Sequence, residues 1–354
     1  MIVVLQDNHA HCSTQFLQRA RQILDAVEFD EKTRAKCATC GKRCAVFPKA
    51  ALRRNAHIIV VAGTPCQPWS AAGQHAGWLH EASISFLTWL RFIQCFTPHT
   101  FIHENSSRFD TSIFPSWLGH LYDMDSVCID PTDQGLPVRR PRVYTCGDHM
   151  NLILRDREYS PAAYRLMFSS IEVSAKCFFD STDAQLLDFT STYASARQPL
   201  PSAGLHDHML RNWEPPHIRA SVENYIDQNI AGAYGSIPQP LLFFHADQNA
   251  HWQGQLGSNM PSLMTKSIPY IVDSDCPHGA RMALPIEIAA MQCFPITMSE
   301  QHVCSGLFGM EHKVWGPQKM PIRVLKKFIG NAMNFRVVGG VVVYKLLTTS
   351  HVPY

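Results

Sequence analysis

The sequence lacks any apolar run long enough to cross a membrane. A membrane helix needs about 20 apolar residues, and the longest candidates here, His57 to Gly63 and Val337 to Leu347, fall well short of that length. A signal peptide is also missing, because Asp7, Asn8 and His9 interrupt the apolar residues at the start of the chain. We therefore predict an intracellular protein without a membrane partner, in the nucleus of a eukaryote or the cytoplasm of a bacterium.

A strong net charge is absent as well. The formal charge is only +2 at pH 7. Such a composition neither requires nor excludes a nucleic-acid partner, since that kind of binding depends on a local basic face. Local basic clusters do occur at Arg53-Arg54, at Arg139-Arg140-Pro141-Arg142 and from Arg323 to Lys327.

The spacing of the 12 cysteines also does not match that of a disulfide framework in a short secreted chain. Most of them are therefore predicted to be reduced thiols. Two groups have ligand types close in sequence: Cys37, Cys40 and Cys44, and His206, Asp207 and His208 with His217. The cysteine group would need a fourth ligand from Cys12, His9 or His11 to hold zinc. A reduced cysteine cluster and a polar loop are the simpler interpretations, and no metal is predicted.

Between residues 57 and 148, short apolar runs alternate with longer amphipathic ones, which is typical of a parallel sheet with crossover helices. Strands are predicted at His57–Ala62, Thr100–His103, Ser126–Ile129 and Arg142–Gly147, and helices at Ala82–Phe96 and Ser112–Tyr122. Cys66 and Glu104 follow the first two strands. Because ligands bind at the carboxyl ends of parallel strands, the pattern predicts an α/β fold with both residues in one pocket.

From about residue 151 to 260 this alternation stops, and prolines and polar stretches break up the short elements. Helical and apolar patterns resume at Ala280–Pro295 and Ile322–Leu347. We predict one domain made of residues 1–150 and 261–354, with a smaller irregular domain at 151–260 inserted between its two parts.

Cys66 lies in the segment Gly63-Thr64-Pro65-Cys66-Gln67-Pro68-Trp69-Ser70, a proline-flanked turn after a buried strand. A lone cysteine is more often a small buried apolar residue than a nucleophile. Glu104 strengthens the functional interpretation, since an acid that ends an apolar strand is costly to bury without a partner or a task. A helix cap at Asn105 or Ser106 is the alternative explanation of that segment.

Arginines alternate in the segment GLPVRRPRVY, which runs from Gly135 to Tyr144. Arg140 and Arg142 are predicted to project to the same side of a strand. A solvated basic edge strand would explain the same pattern.

In this order, the motifs resemble those of the cytosine-5 DNA methyltransferases. GTPCQPWS resembles the family's Pro-Cys-Gln motif, HENSS its Glu-Asn-Val motif, and GLPVRRPRVY its Gln-x-Arg-x-Arg motif. Arg281 to Glu287 with Ala290 to Pro295 resembles a later helical segment of the family, and Phe328 to Met333 resembles its Gly-Asn-Ser/Ala motif. The resemblance spans nearly the whole chain and makes residues 151–260 the expected target recognition domain.

The resemblance implies a Rossmann-like methyltransferase fold that uses S-adenosylmethionine to methylate carbon 5 of cytosine in double-stranded DNA. Cys66 would add to carbon 6 as a thiolate. Glu104 would meet nitrogen 3 of the ring, Arg142 oxygen 2, and Arg140 would support the site or hold a phosphate. The target base would be flipped out of the duplex. The expected cofactor contacts are Asp7, Pro65, Asn331 and Ala332.

The N-terminal part departs from the family pattern. The Phe-x-Gly-x-Gly turn that holds the methionine part of the cofactor is not found, and Met1–Asp7 is predicted to be the second strand of the sheet. Asp7 then lies near the position where the family has an acidic residue that contacts the cofactor ribose, although Leu5 occupies the position that aligns with that acid. The sequence thus predicts a chain that begins one strand and one helix late. A smaller departure is Val138, where the family has Gln.

Three other functions stay open at this point. The N-terminal departure is compatible with a catalytically silent relative that binds nucleic acid or a partner protein. The motifs of the base pocket are equally compatible with transfer RNA as the substrate. A Cys-His hydrolase acylated at Cys66 would need a histidine partner that no motif supplies.

Overall fold

The computed structural model describes residues 2–27, 29, 33–36, 41–46, 56–70, 76–155, 163–164, 173–179, 181, 184–186, 216–229, 242–246, 255–256, 259–262, 269–272, 280–294 and 329–352. The helices are α1 (Ile2–Asp25), α2 (Ser83–Phe96), α3 (Ile113–Leu118), α4 (Pro216–Asn229), α5 (Pro285–Met291) and α6 (Phe335–Thr348). The strands are β1 (Arg34–Lys36), β2 (Arg43–Ala45), β3 (Ile59–Gly63), β4 (Thr100–Ser106), β5 (Tyr122–Ile129), β6 (Arg142–His149), β7 (Ile153–Arg155), β8 (Leu242–His245), β9 (Gln255–Leu256), β10 (Pro269–Val272), β11 (Ala280–Met282) and β12 (Thr349–His351).

The chain divides into two compact units. The first contains residues 1–129, 141–167 and 341–354, and the second contains residues 130–140 and 168–340. The second unit therefore takes in more of the chain than the predicted insertion at 151–260, and α5 belongs to it. The chain returns to the first unit only at Val341. The recognition role of residues 151–260 stays a prediction.

The first unit is built on a four-stranded mixed sheet with the strand order β3-β4-β6-β5. β3 and β4 are parallel, and α2 lies between them in the chain, as a crossover connection requires. β6 is antiparallel to both β4 and β5. The predicted α/β fold is confirmed with one difference in strand direction. Only the short 3-10 turn Pro131–Gln134 lies between β5 and β6, so the chain returns antiparallel without a crossover helix.

The predicted helix over Ser112–Tyr122 is confirmed only as far as Leu118. The backbone N–H of Gly119 caps this helix on the carbonyl of Pro115, and a Cβ at Gly119 would lie 2.5 Å from that oxygen. The close approach requires glycine here, because any side chain would clash with the last turn. Tyr122 already begins β5, so the apolar residues after Gly119 belong to a strand.

Aromatic side chains form the centre of the first unit. The face of α2 that is buried carries Ser83, Phe86, Leu87, Leu90 and Ile93, which recur at helical spacing. Phe86 makes edge contacts with Phe109 and Phe114 at centroid distances of 4.9 and 5.6 Å. Edge-to-face pairs of this kind add about 0.5–1.5 kcal/mol each beyond the area they bury, so this cluster fixes α2 and α3 against the sheet.

The prediction of a strand at Met1–Asp7 is wrong, because α1 runs without a break from Ile2 to Asp25. Its later residues Phe16, Leu17, Ala20 and Leu24 pack against the core of the first unit. A short apolar run cannot be assigned to a strand or a helix by its own periodicity. Here the helical spacing of the residues that follow decides the conformation, and Asp7 lies within a helix instead of at the end of a strand.

The last helix is attached to the sheet by a buried ion pair. Lys345 on α6 pairs with Asp148 on β6, and both side chains are almost fully buried. Thr100 at the start of β4 donates to the other oxygen of Asp148 at 3.0 Å. β12, which follows α6, is antiparallel to β7, so the chain end is held by both a charge pair and strand pairing.

The second unit has its own sheet, with the strand order β11-β10-β8-β9. All adjacent strands in this sheet are antiparallel. Arg281 on β11 forms a bidentate ion pair with Glu287 on α5, at 2.9 and 2.8 Å. Glu287 also accepts the backbone N–H of Leu284 at 2.8 Å, which caps the first turn of α5. No helix in the described part of the chain is both long and apolar enough to cross a membrane.

Candidate active site

Cys66 lies in a tight turn that begins directly after β3. Its carbonyl oxygen accepts the backbone N–H groups of Trp69 and Ser70 at 3.0 and 2.8 Å. Trp69 is buried and packs against Trp78 and Phe109, with centroid distances of 4.9 and 4.6 Å. The turn is therefore fixed on one side by the aromatic core, while Cys66 itself is only half-buried.

β4 holds the other side of this turn. Gly63, the last residue of β3, is in parallel register with Glu104 of β4. The side-chain amide of Asn105 donates to the hydroxyl of Thr64 at 3.0 Å and to its carbonyl at 3.4 Å. His103 shares a hydrogen bond of 2.8 Å with the same hydroxyl. The alternative of a helix cap at Asn105 or Ser106 is wrong, because both residues lie within β4.

Glu104 projects to the opposite face of β4 and pairs with Arg142. The two residues are diagonal neighbours, since Glu104 lies opposite Tyr144 and Arg142 opposite Ser106. The Nε of Arg142 is 3.2 Å from Oε1 of Glu104, and only 7% of Glu104 is exposed. Nη1 of Arg142 donates to the carbonyl of Pro141 at 2.8 Å. The buried carboxylate thus has a cationic partner, which offsets part of its desolvation cost.

Arg140 does not share a strand with Arg142, because β6 begins at Arg142. Arg140 belongs to the second unit and is only 4% exposed. Its Nη2 donates to the carbonyls of Gly330 and Ala332 at 3.2 and 3.0 Å, and its backbone N–H donates to Asp130 at 3.1 Å. The predicted shared side of one strand is therefore wrong, as is the solvated basic edge.

Comparison with known proteins identifies one family across most of this region. The C-5 cytosine-specific DNA methylase family matches residues 46–302, which is more than half of the 354 residues. The chain belongs to this family. The predicted resemblance is confirmed, and the matched range of the methylase family contains Cys66, Glu104, Arg140 and Arg142.

Individual relatives of this methylase chain share only part of their length with it. The type II methyltransferase M.HgiCII of Herpetosiphon aurantiacus is 30% identical over 122 residues, which are 31% of this chain and 28% of the relative. The type II methyltransferase M.BsuFI of Bacillus subtilis is 27% identical over 162 residues, or 38% of this chain and 39% of the relative. The chain therefore matches well under two thirds of either relative.

Solved structures also include similar chains. The Entamoeba histolytica methyltransferase EhMeth is 12% identical to this methylase family member, and the alignment covers 81% of this chain and 76% of that one with a TM-score of 0.46.

Four residues of this methylase family member were predicted to contact the cofactor. Pro65 is half-buried in the Cys66 turn of the first unit. Asn331 is exposed and Ala332 is half-buried, and both belong to the second unit. Asp7 lies inside α1, so the predicted acidic residue at a strand end is not formed there. The ribose contact assigned to Asp7 stays a prediction.

His103 and Thr64 are site residues that the sequence reasoning missed. Their signal was present in the tripeptide His103-Glu104-Asn105, because alternate residues of a strand face opposite sides. Once Glu104 is assigned to one face, His103 and Asn105 must share the other. Burial lowers the pKa of His103 from 6.5 to about 3, so its ring is neutral near pH 7.

Metal ligands are not grouped in the described residues, where no three His, Cys, Asp or Glu side chains lie close enough to hold an ion. Of the predicted cysteine candidates, Cys44 is exposed on β2, and Cys37 and Cys40 lie outside the described residues. Three further predicted groups also lie outside them: His206 to His208, the pair Arg53-Arg54, and Arg323 to Lys327.

Proposed function

We propose that this chain methylates carbon 5 of cytosine in double-stranded DNA, with Cys66 as the attacking thiol and S-adenosylmethionine as the methyl donor. The observation that best supports the proposal is the arrangement around β4. Its Glu104 is in register with Gly63, the residue before the Cys66 turn, and is paired with Arg142 from β6. A thiol that follows one strand, and an acid and a cation on the next two strands of the sheet, are the groups that addition to a cytosine ring requires.

The chain's residues would act in the addition step as follows. Cys66 loses its proton to solvent, and a sulfur electron pair forms the bond to carbon 6. The electrons of the carbon 5–carbon 6 double bond shift toward carbon 5 and the ring. Glu104, which is a carboxylate paired with Arg142 in the unbound protein, takes up a proton from solvent once the base is bound and gives it to nitrogen 3. The Arg142 guanidinium stabilises the negative charge at oxygen 2.

The elimination step restores the enzyme. Once carbon 5 carries the methyl group, a base removes the proton from carbon 5. The electron pair of that carbon–hydrogen bond reforms the double bond and breaks the sulfur–carbon 6 bond, which releases the Cys66 thiolate, and nitrogen 3 returns its proton to Glu104. The reaction needs access to both ring faces, so the target base would leave the duplex stack.

Two further assignments belong to this proposal. Arg140, which donates to the carbonyls of Gly330 and Ala332 within the second unit, is proposed to support the site or to hold a phosphate. Pro65, Asn331 and Ala332 are proposed as the cofactor contacts. The enzyme would act inside the cell, in the compartment that contains DNA.

Covalent trapping tests the proposal directly. A duplex with 5-fluorocytosine at the target position, incubated with S-adenosylmethionine, is expected to form an adduct on the Cys66 peptide, because fluorine cannot leave as a proton does. Cys66→Ser should form no adduct while still binding the duplex. Cys128→Ser, which changes an exposed cysteine on β5, is the matched control and should form the adduct normally.

Two outcomes would contradict separate parts of the proposal. Methyl transfer to transfer RNA but not to duplex DNA would overturn the substrate and keep the thiol chemistry. A folded protein that binds the duplex, shows no calorimetric heat with S-adenosylmethionine and forms no adduct would be a catalytically silent relative.

A further inference from the structure

We propose that His103 is a positioning residue, which fixes the Cys66 turn by holding the hydroxyl of Thr64. The inference rests on the proposed function, since it concerns the orientation of the thiol that would attack cytosine. His103 would not touch the substrate, and its effect would pass through Thr64, two residues before Cys66.

Thr64 is held at both its side chain and its backbone. Its hydroxyl meets Nε2 of His103 at 2.8 Å and Nδ2 of Asn105 at 3.0 Å. Its carbonyl accepts a longer hydrogen bond of 3.4 Å from the same Asn105 amide. Three contacts to one residue leave the chain between β3 and Cys66 little freedom to rotate, because fixing both groups of Thr64 restrains the backbone on either side of it.

The surroundings of His103 are aromatic. Its ring lies 4.9 Å from Phe86 and from Trp89, 5.2 Å from Phe109 and 5.4 Å from Phe114, measured between centroids. The residue is completely buried, and its Nδ1 has no hydrogen-bond partner among the described residues. The Thr64 hydroxyl is thus the polar contact that the described structure gives this ring.

Packing alone does not explain a histidine at this position. A phenylalanine would complete the aromatic cluster without burying two ring nitrogens, one of which lacks a hydrogen-bond partner in the described part of the chain. A residue that costs stability in a core needs a local task, and the contact to Thr64 provides it. The neutral form of the ring suits positioning instead of proton transfer, because burial lowers the pKa of His103 to about 3.

The test compares Thr64→Val and His103→Phe with the unchanged protein. Each variant removes the hydrogen bond and keeps the shape of the side chain. We expect both to slow adduct formation on the 5-fluorocytosine duplex by about tenfold or more, with duplex affinity within about twofold, because misplacing a reacting group lowers the rate more than the binding. The double variant should be no slower than Thr64→Val, since Thr64→Val already removes the contacts of the hydroxyl to both His103 and Asn105.

Two controls separate positioning from general loss of structure. Thr64→Ser keeps the hydroxyl and should restore the adduct rate to within about twofold of the unchanged protein. Tyr122→Phe removes another buried side-chain hydrogen bond, which Tyr122 donates to the carbonyl of Pro98 at 2.9 Å. Pro98 lies just before the start of β4. The Tyr122→Phe change should lower the melting temperature without slowing the adduct.

A second readout does not depend on methyltransferase activity. The rate at which iodoacetamide alkylates Cys66, followed by mass spectrometry of its peptide, should change in Thr64→Val and His103→Phe but not in Tyr122→Phe. If the unchanged protein forms no adduct, the proposed function fails, and this alkylation rate still tests the turn. Unchanged alkylation and adduct rates in both hydrogen-bond variants would overturn the inference, as would equal slowing in Tyr122→Phe.

Discussion

The Nε of Arg142 lies 3.2 Å from Oε1 of Glu104, so the acid and the cation proposed to meet the cytosine ring are paired with each other before any base is bound. Glu104 is buried and Arg142 is partly buried. Neither charge is therefore left alone in the protein interior. Binding of a base would replace this ion pair by contacts of Glu104 and Arg142 to the ring. The same two side chains would therefore affect both the stability of the protein and the reaction.

Replacing either member of this pair should affect both stability and activity. Glu104→Gln leaves Arg142 without its carboxylate, and Arg142→Gln leaves the buried Glu104 without its cation. We expect each single variant to lose about 2 kcal/mol of unfolding free energy, less than a fully buried pair because Arg142 keeps some solvent. Methyl transfer should fall by about 100-fold or more in both.

Urea unfolding and transfer of a labelled methyl group check these values. The double variant should regain part of the lost stability, because no charge is left unpaired, but none of the activity. Full activity in Glu104→Gln would remove Glu104 from the proposed mechanism.

Stability should depend on pH through His103. Burial lowers the pKa of His103 from 6.5 to about 3, so the unfolded chain binds a proton between these values while the native ring stays neutral. The unfolded state is favoured as the pH falls through this window, by up to about 1.4 kcal/mol per pH unit from this residue. Above pH 6.5 the histidine ring is neutral in both the folded and the unfolded state, so this loss of stability is absent.

The matching measurement is urea unfolding of the unchanged protein and of His103→Phe at several values between about pH 7.5 and 5.5. The variant should lose less stability over this range, since phenylalanine takes up no proton. Equal pH slopes for the two proteins would show that the native ring titrates normally.

The ion pair between Lys345 and Asp148 should be among the contacts of the first unit whose loss lowers the unfolding free energy most. Lys345→Met keeps much of the side-chain length and leaves the buried Asp148 with Thr100 and, at 4.0 Å, Arg155. We expect a loss of about 3 kcal/mol in unfolding free energy, because an uncompensated buried carboxylate is costly. Lys36→Met on the exposed strand β1 is the control and should cost almost nothing. A similar loss in both variants would contradict a specific role for the pair.

The second unit offers an independent test at Glu287. Glu287→Gln removes the bidentate pair with Arg281 and weakens the cap of α5. Hydrogen exchange should become faster in α5 and β11, with a local loss of about 3 kcal/mol, while β4 and β6 of the first unit keep their protection. The control Glu223→Gln changes an exposed residue of α4 and should leave exchange unaltered. Uniform acceleration in both units would argue against two separate units.

Sequence patterns predicted the parts of the site that depend on local order. The apolar runs located β3, β4 and β6 to within a few residues. The prediction of a buried first strand is wrong, because β3 is the edge strand of the described sheet and its residues are half-buried or exposed. Cys66 follows β3 as predicted, whereas Glu104 lies within β4, which extends to Ser106. Gly63, which precedes the Cys66 turn, is in register with Glu104 on the neighbouring parallel strand, and the α2 crossover makes this parallel pairing possible.

Other features could not be predicted because they depend on contacts distant in the chain. The conformation of α1 is set by packing of its later residues, and the short run at its start carries no decisive period. Arg140 contacts Gly330 and Ala332, about 190 positions away, so its neighbours in sequence gave no indication of its partners. His103 was overlooked because the value of its hydrogen bond depends on the aromatic residues around it.

The pairing of Asp148 with Lys345 also has a consequence for biosynthesis. The two residues are 197 positions apart, and the whole of residues 168–340 of the second unit is translated between them. During translation, the sheet of the first unit must either hold Asp148 exposed or bury it without its lysine. Residues 168–340 of the second unit are therefore synthesised before the ion pair can form, so the sheet of the first unit reaches its final charge balance only after the second unit has been translated.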